Sequence, residues 1–505
     1  MTVQAQLETL KQNLTEVNNI QSATSVLYWD QTTYMPDGGA AGRGKQMATL
    51  SKLAQEKFTA PAVGELLDAL QPLEASLPYD DDDASLVRVT RRQYERAVKL
   101  PAELVAELSN HAALSYHAWT QARPANDFAT MAPLLEKTLS LSRRVAEAYG
   151  WPAGGHIADP LIAEMDYGMT VATLRPLFAA LREELTPLVA AISERPAPDA
   201  AFLYRHYPEQ PQWDFGVDVI KQFGYDFTRG RQDKTHHPYM IRFSAGDIRI
   251  TTRFQENDVT DGLFSTLHEA GHAMYEQGIN PAYDGTPLGH GASAGVHESQ
   301  SRMWENLVGR SRPFWQHFYP RLQGQFPAQL AAVSPETFYR AINKVQPSLI
   351  RVDADEVTYN LHIIIRFELE LALLEGSLAV RDLPEAWRAS YATYLGVTPP
   401  DDTTGVLQDM HWYIGGIGGA FQGYTLGNIM SAAFWDKAST AHPEILNEMA
   451  EGRFTTLLNW LRENVHQHGS KYTAAELVQR ITGHPLSIAP YLAYLRGKFG
   501  ELYDL

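Results

Sequence analysis

Residues 258–278 read DVTDGLFSTLHEAGHAMYEQG, and the spacing inside this stretch predicts both a helix and a metal site. Leu263, Leu267, Ala270 and Met274 recur at three- and four-residue intervals, so they share one face of a helix. Asp258 or Thr260 can cap its start and Gly278 can end it. His268 and His272 then stand one turn apart and can aim both imidazoles at one cation without bending the backbone. Glu269 sits about 100° round from His268, beside that cation rather than on it, which suits a carboxylate that takes a proton from an attacking water. Two histidines on an exposed helix can share this spacing by accident, so a third ligand has to be found.

A catalytic zinc needs three protein ligands and one open position. Glu298, in the run His297-Glu298-Ser299-Gln300-Ser301-Arg302, is the first candidate. Val296, Gln300, Met303 and Leu307 give that segment a helical face, and Gly309 can terminate it. The Gly-rich link over 278–295 is long enough to bring it back antiparallel to the first helix. Glu276, Glu305 and His297 stay in contention as ligands. Glu298 could instead form a surface ion pair with Arg302 at i+4, which is worth little.

Further out, helical periodicity dominates. Segments near 4–20, 40–57, 84–98, 101–122, 130–149, 171–194 and 353–375 carry it, with Pro and Gly between them. Asp80 to Asp83 precede a helix and suit its positive N-terminal end. Tyr239 to Phe254 break the pattern: two β-prone runs flank a Gly-Asp turn, a hairpin signal. The expected fold is mainly α with a small sheet near 237–254. It forms a single domain over 1–505, as one body or as two lobes around a central cleft.

Composition narrows the function. Of the 505 residues, 44% are hydrophobic and 20% charged, the balance of a chain with a sizeable core. A net charge of −17 repels phosphate backbones, so nucleic acid is not an expected partner. With no cysteine there are no disulfides, thiolate ligands or thiol nucleophile. The apolar stretch from Leu361 to Val380 is interrupted by Arg366, Glu368, Glu370 and Glu375, so it reads as a buried helix rather than a membrane span. The first residues read as an amphipathic helix without a signal-peptide core, and the expected location is cytoplasmic.

His268-Glu269-x-x-His272 followed by His297-Glu298-Ser299-Gln300 resembles the thermostable, Taq-type metallocarboxypeptidase family. The likeness extends through His237-Pro238-Tyr239, Asp247-Ile248-Arg249-Ile250-Thr251, Ile350-Arg351-Val352-Asp353-Ala354-Asp355 and Gly405-Val406-Leu407-Gln408-Asp409-Met410-His411-Trp412. Tyr28-Trp29-Asp30 and Pro490 to Leu495 also look like it. Three features depart from the family: Tyr239 in the His-Pro motif, Ala270 inside the zinc motif, and the sparse aromatic content of Gly418 to Tyr424.

The resemblance implies a helical, cleft-bearing, saddle-like gluzincin-type fold, commonly a homodimer. It also implies a zinc enzyme, with Co2+ able to substitute, that releases C-terminal residues one at a time and with broad preference from peptides having a free C-terminus. Glu269 would be the general base. His411 and Tyr424 are the candidates to donate to the developing oxyanion. An exopeptidase must also grip the terminal carboxylate, and Arg351 is the first choice, with Arg249 the runner-up. His237 and Gln408 are expected to contact the substrate backbone, and the hairpin edge to pair with an extended peptide. Two other readings remain: a zinc endo- or oligopeptidase needing no carboxylate clamp, and a non-catalytic helical binding protein.

Overall fold

The computed structural model describes residues 1–505: twenty-two α-helices, short 3-10 turns and one three-stranded sheet. The fold is mainly helical, as the periodicity predicts. One apolar cluster runs through it from Leu7 to Tyr503.

Most expected helices lie where their patterns placed them. Ala40–Phe58, Asp82–Lys99, Ala102–Ala122, Phe128–Tyr149 and Val171–Ser193 match within a few residues. Asp81 caps Asp82–Lys99 by accepting from the backbone of Asp83 and Ala84, so the acidic run serves a helix start. Two boundaries differ. The first helix runs over Val3–Thr33, far past residue 20, because its later half buries only Trp29 and therefore carries no apolar stripe to read. The helix expected from 353 begins at Tyr359, because the Asp355 carboxylate accepts from the backbone of Val357 and Thr358 and holds a turn there.

The hairpin forms as β2 (Met240–Ser244) and β3 (Asp247–Thr252), antiparallel with Ile241 opposite Arg249. A third strand, β1 (Gln232–Lys234), pairs parallel with the other side of β3. That leaves β2 as an edge. Its N-terminal end, with His237, Pro238 and Tyr239, lines a cavity of about 1,230 Å³ whose walls come from segments between Ala200 and Phe499. Leu361 to Val380 lies mostly in the buried helix Tyr359–Glu375, and no helix of the structure is long and apolar enough to cross a membrane.

Candidate metal centre and substrate cleft

Three helices build the centre. The motif helix, Val259–Gly278, starts where Asp258 accepts from Thr260 N at 2.8 Å, and Leu263, Leu267, Ala270 and Met274 are all buried. The ligand helix, Ala294–Arg302, is capped by Ser293, and its first turn is tied down where Gly295 N donates to Asp166 Oδ1 at 2.8 Å. The backing helix, Gln422–Ala441, joins the same carboxylate through Gln422 Nε2 at 3.1 Å. Burial raises the Asp166 carboxyl above its ordinary value.

Two glycines set the spacing. A Cβ on Gly271 would lie 2.7 Å from Ser301 Cα and 2.8 Å from Gln300 O, so the motif and ligand helices touch backbone to backbone there. A Cβ on Gly427 would lie 2.6 Å from both Cβ and Cγ of Glu298, so the backing helix seats that side chain directly.

The result is convergence. Donor atoms of His268, His272 and Glu298 lie within 4.8 Å of one another. Nε2 of His268 and of His272 stand 3.7 and 3.5 Å from Glu298 Oε2. Tetrahedral ligands about 2.0–2.1 Å from a zinc ion stand about 3.3 Å from each other, so the spacing fits a single ion.

Each donor is oriented from behind. His268 Nδ1 donates to Glu305 Oε2 at 2.9 Å. His272 Nδ1 meets His297 Nδ1 at 2.7 Å, and His297 Nε2 donates to Glu276 Oε1 at 2.9 Å. Arg302 Nε donates to Glu298 Oε1 at 2.7 Å and leaves Oε2 toward the imidazoles. Glu276, Glu305 and His297, the rival ligands in the sequence, are therefore the partners that hold the donors in place.

The electrostatics suit a cation. Burial alone raises Glu298, but Arg302 and the two histidines outweigh it and hold the carboxyl well below its ordinary value. Burial lowers His272 to about 3, which keeps its lone pair free. Burial also pulls on His268, yet the Glu298 carboxylate lifts it above its ordinary value, so the pocket draws positive charge. Glu269 is buried beside the donors, and burial pushes its carboxyl up to about 7.

His237, Arg351, His411 and Tyr424 line the same cavity as the donors. Arg351 Nε and Nη2 donate to Asp409 Oδ2 and Oδ1 at 2.6 and 3.3 Å, and Nη1 donates to the Tyr359 hydroxyl at 3.3 Å, so one hydrogen on each Nη stays free. Fully buried Arg366 reaches Asp409 Oδ2 at 2.9 Å, and His411 Nδ1 bonds Asp409 Oδ1. The Tyr424 hydroxyl lies 3.5 Å from His411 Nε2. Its proton is held firmly, because burial raises its pKa.

Two expected contacts are corrected. Gln408 does not face the cleft: its amide donates to Leu349 O and Thr404 O while its oxygen accepts from Arg351 N and Arg366 Nη2, which leaves nothing for a substrate. Arg249 does not border the cleft cavity that Arg351 lines; it pairs through both arms with Asp247 and stacks over Trp29 at 4.4 Å. Asp409, the hub joining Arg351, Arg366 and His411, was not foreseen as such; its place between Gln408 and His411 was the available signal.

A helical cleft holding His-Glu-x-x-His and a downstream glutamate defines a metallopeptidase. Comparison with known proteins narrows this. Residues 9–499 match the family described as Carboxypeptidase Taq (M32) metallopeptidase. A thermostable carboxypeptidase of Thermus thermophilus is 43% identical over the full length of both chains. A solved carboxypeptidase of the same family from Deinococcus radiodurans R1 is 50% identical, with a TM-score of 0.96 over 99% of this chain and 100% of that one. A Pyrococcus furiosus carboxypeptidase solved in an apo-Mg form is 32% identical, with a TM-score of 0.94 over 98% and 99%. The chain belongs to the carboxypeptidase Taq metallopeptidase family. It is a metallocarboxypeptidase, a hydrolase that acts at the C-terminal end of peptides.

Proposed function

We propose that the metal is zinc, held by His268, His272 and Glu298, and that the enzyme releases single residues with broad preference from peptides having a free C-terminus. The observation that carries this reading is the convergence of two imidazole nitrogens and one carboxylate oxygen, each oriented by a partner of its own. Two nitrogen donors suit zinc and disfavour magnesium, which takes oxygen ligands. Cobalt, with similar ligand preferences, can replace it.

Zinc, when bound, polarises the scissile carbonyl and acidifies water. Glu269 takes the proton of the attacking water and passes it to the departing amine. Tyr424 keeps its hydroxyl proton and donates to the oxygen as it becomes negative, with His411 beside it, oriented by Asp409. Arg351 offers its guanidinium to the terminal carboxylate, while Asp409 and Tyr359 fix its plane. His237 and the N-terminal end of β2 at Met240 receive the substrate main chain. We take residues 1–505 as one domain around this cleft, cytoplasmic and homodimeric. Light scattering tests the dimer and cell fractionation the location.

The deciding experiment digests one peptide in two forms, with a free and with an amidated C-terminus, and follows the products by mass. A ladder of single-residue losses from the free form alone is expected. Internal cleavage of both forms overturns the reading, and metal analysis of the active protein checks zinc.

A further inference from the structure

Asp166 is fully buried, yet no lysine, arginine or histidine pairs with it. Its oxygens accept from Gly295 N at 2.8 Å and from Gln422 Nε2 at 3.1 Å, with the Ser293 hydroxyl close by. A carboxylate sealed from water without a counter-ion is costly, so its neighbours have to stabilise it. They are the first turns of two helices, Ala294–Arg302 and Gln422–Ala441, whose N-terminal ends carry partial positive charge.

Small residues make room for this carboxylate. A Cβ on Gly295 would lie 3.0 Å from Asp166 Oδ1, and one on Gly423 would lie 3.3 Å from Oδ2 and 3.2 Å from Ala294 Cβ. From this slot the two helices run side by side in the same direction. Gly423 faces Ala294 and Gly295, and one turn further on Gly427 faces Glu298. Tyr424 directly follows Gly423, and its side chain and that of Glu298 border the same cavity. A slide of one helix along the other therefore changes the distance between a metal donor and the Tyr424 hydroxyl. Asp166 is itself held on a third element, as the residue that ends the helix Asp159–Met165, where its backbone N–H donates to Ile162 O.

Resting on the reading of Glu298 as a metal ligand and Tyr424 as the donor to the oxyanion, we infer that Asp166 is a positioning residue for hydrolysis: by pinning two helix starts to one carboxylate, it sets how far the Tyr424 hydroxyl stands from the metal that Glu298 holds. Its two oxygens have separate effects. Oδ1 holds the ligand helix through Gly295 N and so governs zinc affinity. Oδ2 holds the backing helix through Gln422 Nε2 and so governs the placement of Tyr424, which matters only as the oxyanion forms.

The two ties can be cut one at a time. Gln422→Ala removes the backing-helix tie alone. Asp166→Asn keeps an oxygen for Gly295 N but turns an N–H toward Gln422, which can meet it only by reversing its amide and giving up Gly419 O. Asp166→Ala cuts both ties. The test measures zinc affinity by chelator competition, and kcat and KM on a free-ended peptide at saturating zinc. In Gln422→Ala and Asp166→Asn, kcat is expected to fall about tenfold while KM and zinc affinity stay within about twofold. In Asp166→Ala zinc affinity should fall about tenfold as well, and saturating zinc should not restore kcat. The two single-tie variants carry the test if the Ala variant does not fold. A lowered Tm with wild-type kcat in both of them, folded and zinc-loaded, overturns the assignment, as does an equal loss of zinc affinity in all three. If Tyr424→Phe keeps the wild-type kcat, it is the reading of Tyr424 as donor that fails; the hold on Glu298 is then judged by Asp166→Ala, which overturns it by binding zinc as tightly as the wild type.

Discussion

The Nδ1 atoms of His272 and His297 lie 2.7 Å apart, a distance at which two imidazoles share one proton. If Nε2 of His272 is to face a cation with its lone pair, its proton must sit on Nδ1 and point at His297. His297 must then carry its own proton on Nε2, where Glu276 accepts it at 2.9 Å. The chain of partners therefore permits one tautomer of His272, the one a metal needs.

Replacing His297 with Phe removes the acceptor but keeps a ring of similar size. Zinc affinity is expected to fall by about 10–100-fold. Glu276→Gln should do less, since its amide oxygen still accepts from His297. Chelator competition measures both, and an unchanged zinc affinity in the Phe variant would mean that the imidazole contact orients nothing.

Glu269→Gln keeps the shape of the side chain and removes its basicity. The expected loss in kcat is about 10²–10⁴-fold with zinc content unchanged. The pH dependence has a definite sign. Burial raises this carboxyl to about 7, and a dication at the adjacent donors favours the charged form and draws the value down. Only the deprotonated form accepts a proton, so kcat/KM should fall as pH drops through that lowered value. The midpoint of this acid limb belongs below 7. A limb of the same midpoint in the Gln variant would assign it to another group.

Arg351→Gln removes the guanidinium while Asp409 keeps Arg366 and His411 as partners, so the hub survives. A hydrogen bond to a charged group contributes about 1.5–3 kcal/mol, which corresponds to a fall in kcat/KM of about 10–150-fold on free-ended peptides. The loss should lie mainly in KM, with the unfolding temperature unchanged. A fall in kcat together with a lowered unfolding temperature would mean that Arg351 supports the fold of the cleft rather than reading the carboxylate.

The donor set was legible because helix geometry alone brings His268 and His272 together, and a long Gly-rich link returns Glu298 to them. What spacing could not separate was ligand from orienting partner. Glu276 lies one turn beyond His272 on the same helix, and the choice between them depends on which imidazole nitrogen faces which neighbour. Glu305 is displaced further by the π-helix Met303–Val308, whose extra residue per turn has no apolar signature. Gln408 and Arg249 sit in polar stretches where the sequence gives no sign of the direction a side chain takes. The strand Gln232–Lys234 is three residues long, too short for alternation to register.

Gly427 offers a test of the packing that seats the glutamate. An alanine methyl there would meet Glu298 Cβ and Cγ at 2.6 Å, and Glu298 C lies 3.0 Å away, so rotating the side chain alone does not relieve the clash. Gly427→Ala is expected to destabilise by about 1–3 kcal/mol through overpacking. It should also weaken zinc binding, because the carboxylate that must give way belongs to the proposed donor set. Gly324→Ala is the control. It lies in the helix Arg312–Gln325 with nothing within 4 Å of the added Cβ, so replacing glycine should stabilise by about 0.5–1 kcal/mol and leave zinc affinity alone. Thermal unfolding with and without excess zinc separates the two effects: if Gly427→Ala lowers Tm equally in both conditions and its zinc affinity is unchanged, the backing helix supports the fold without setting the position of Glu298.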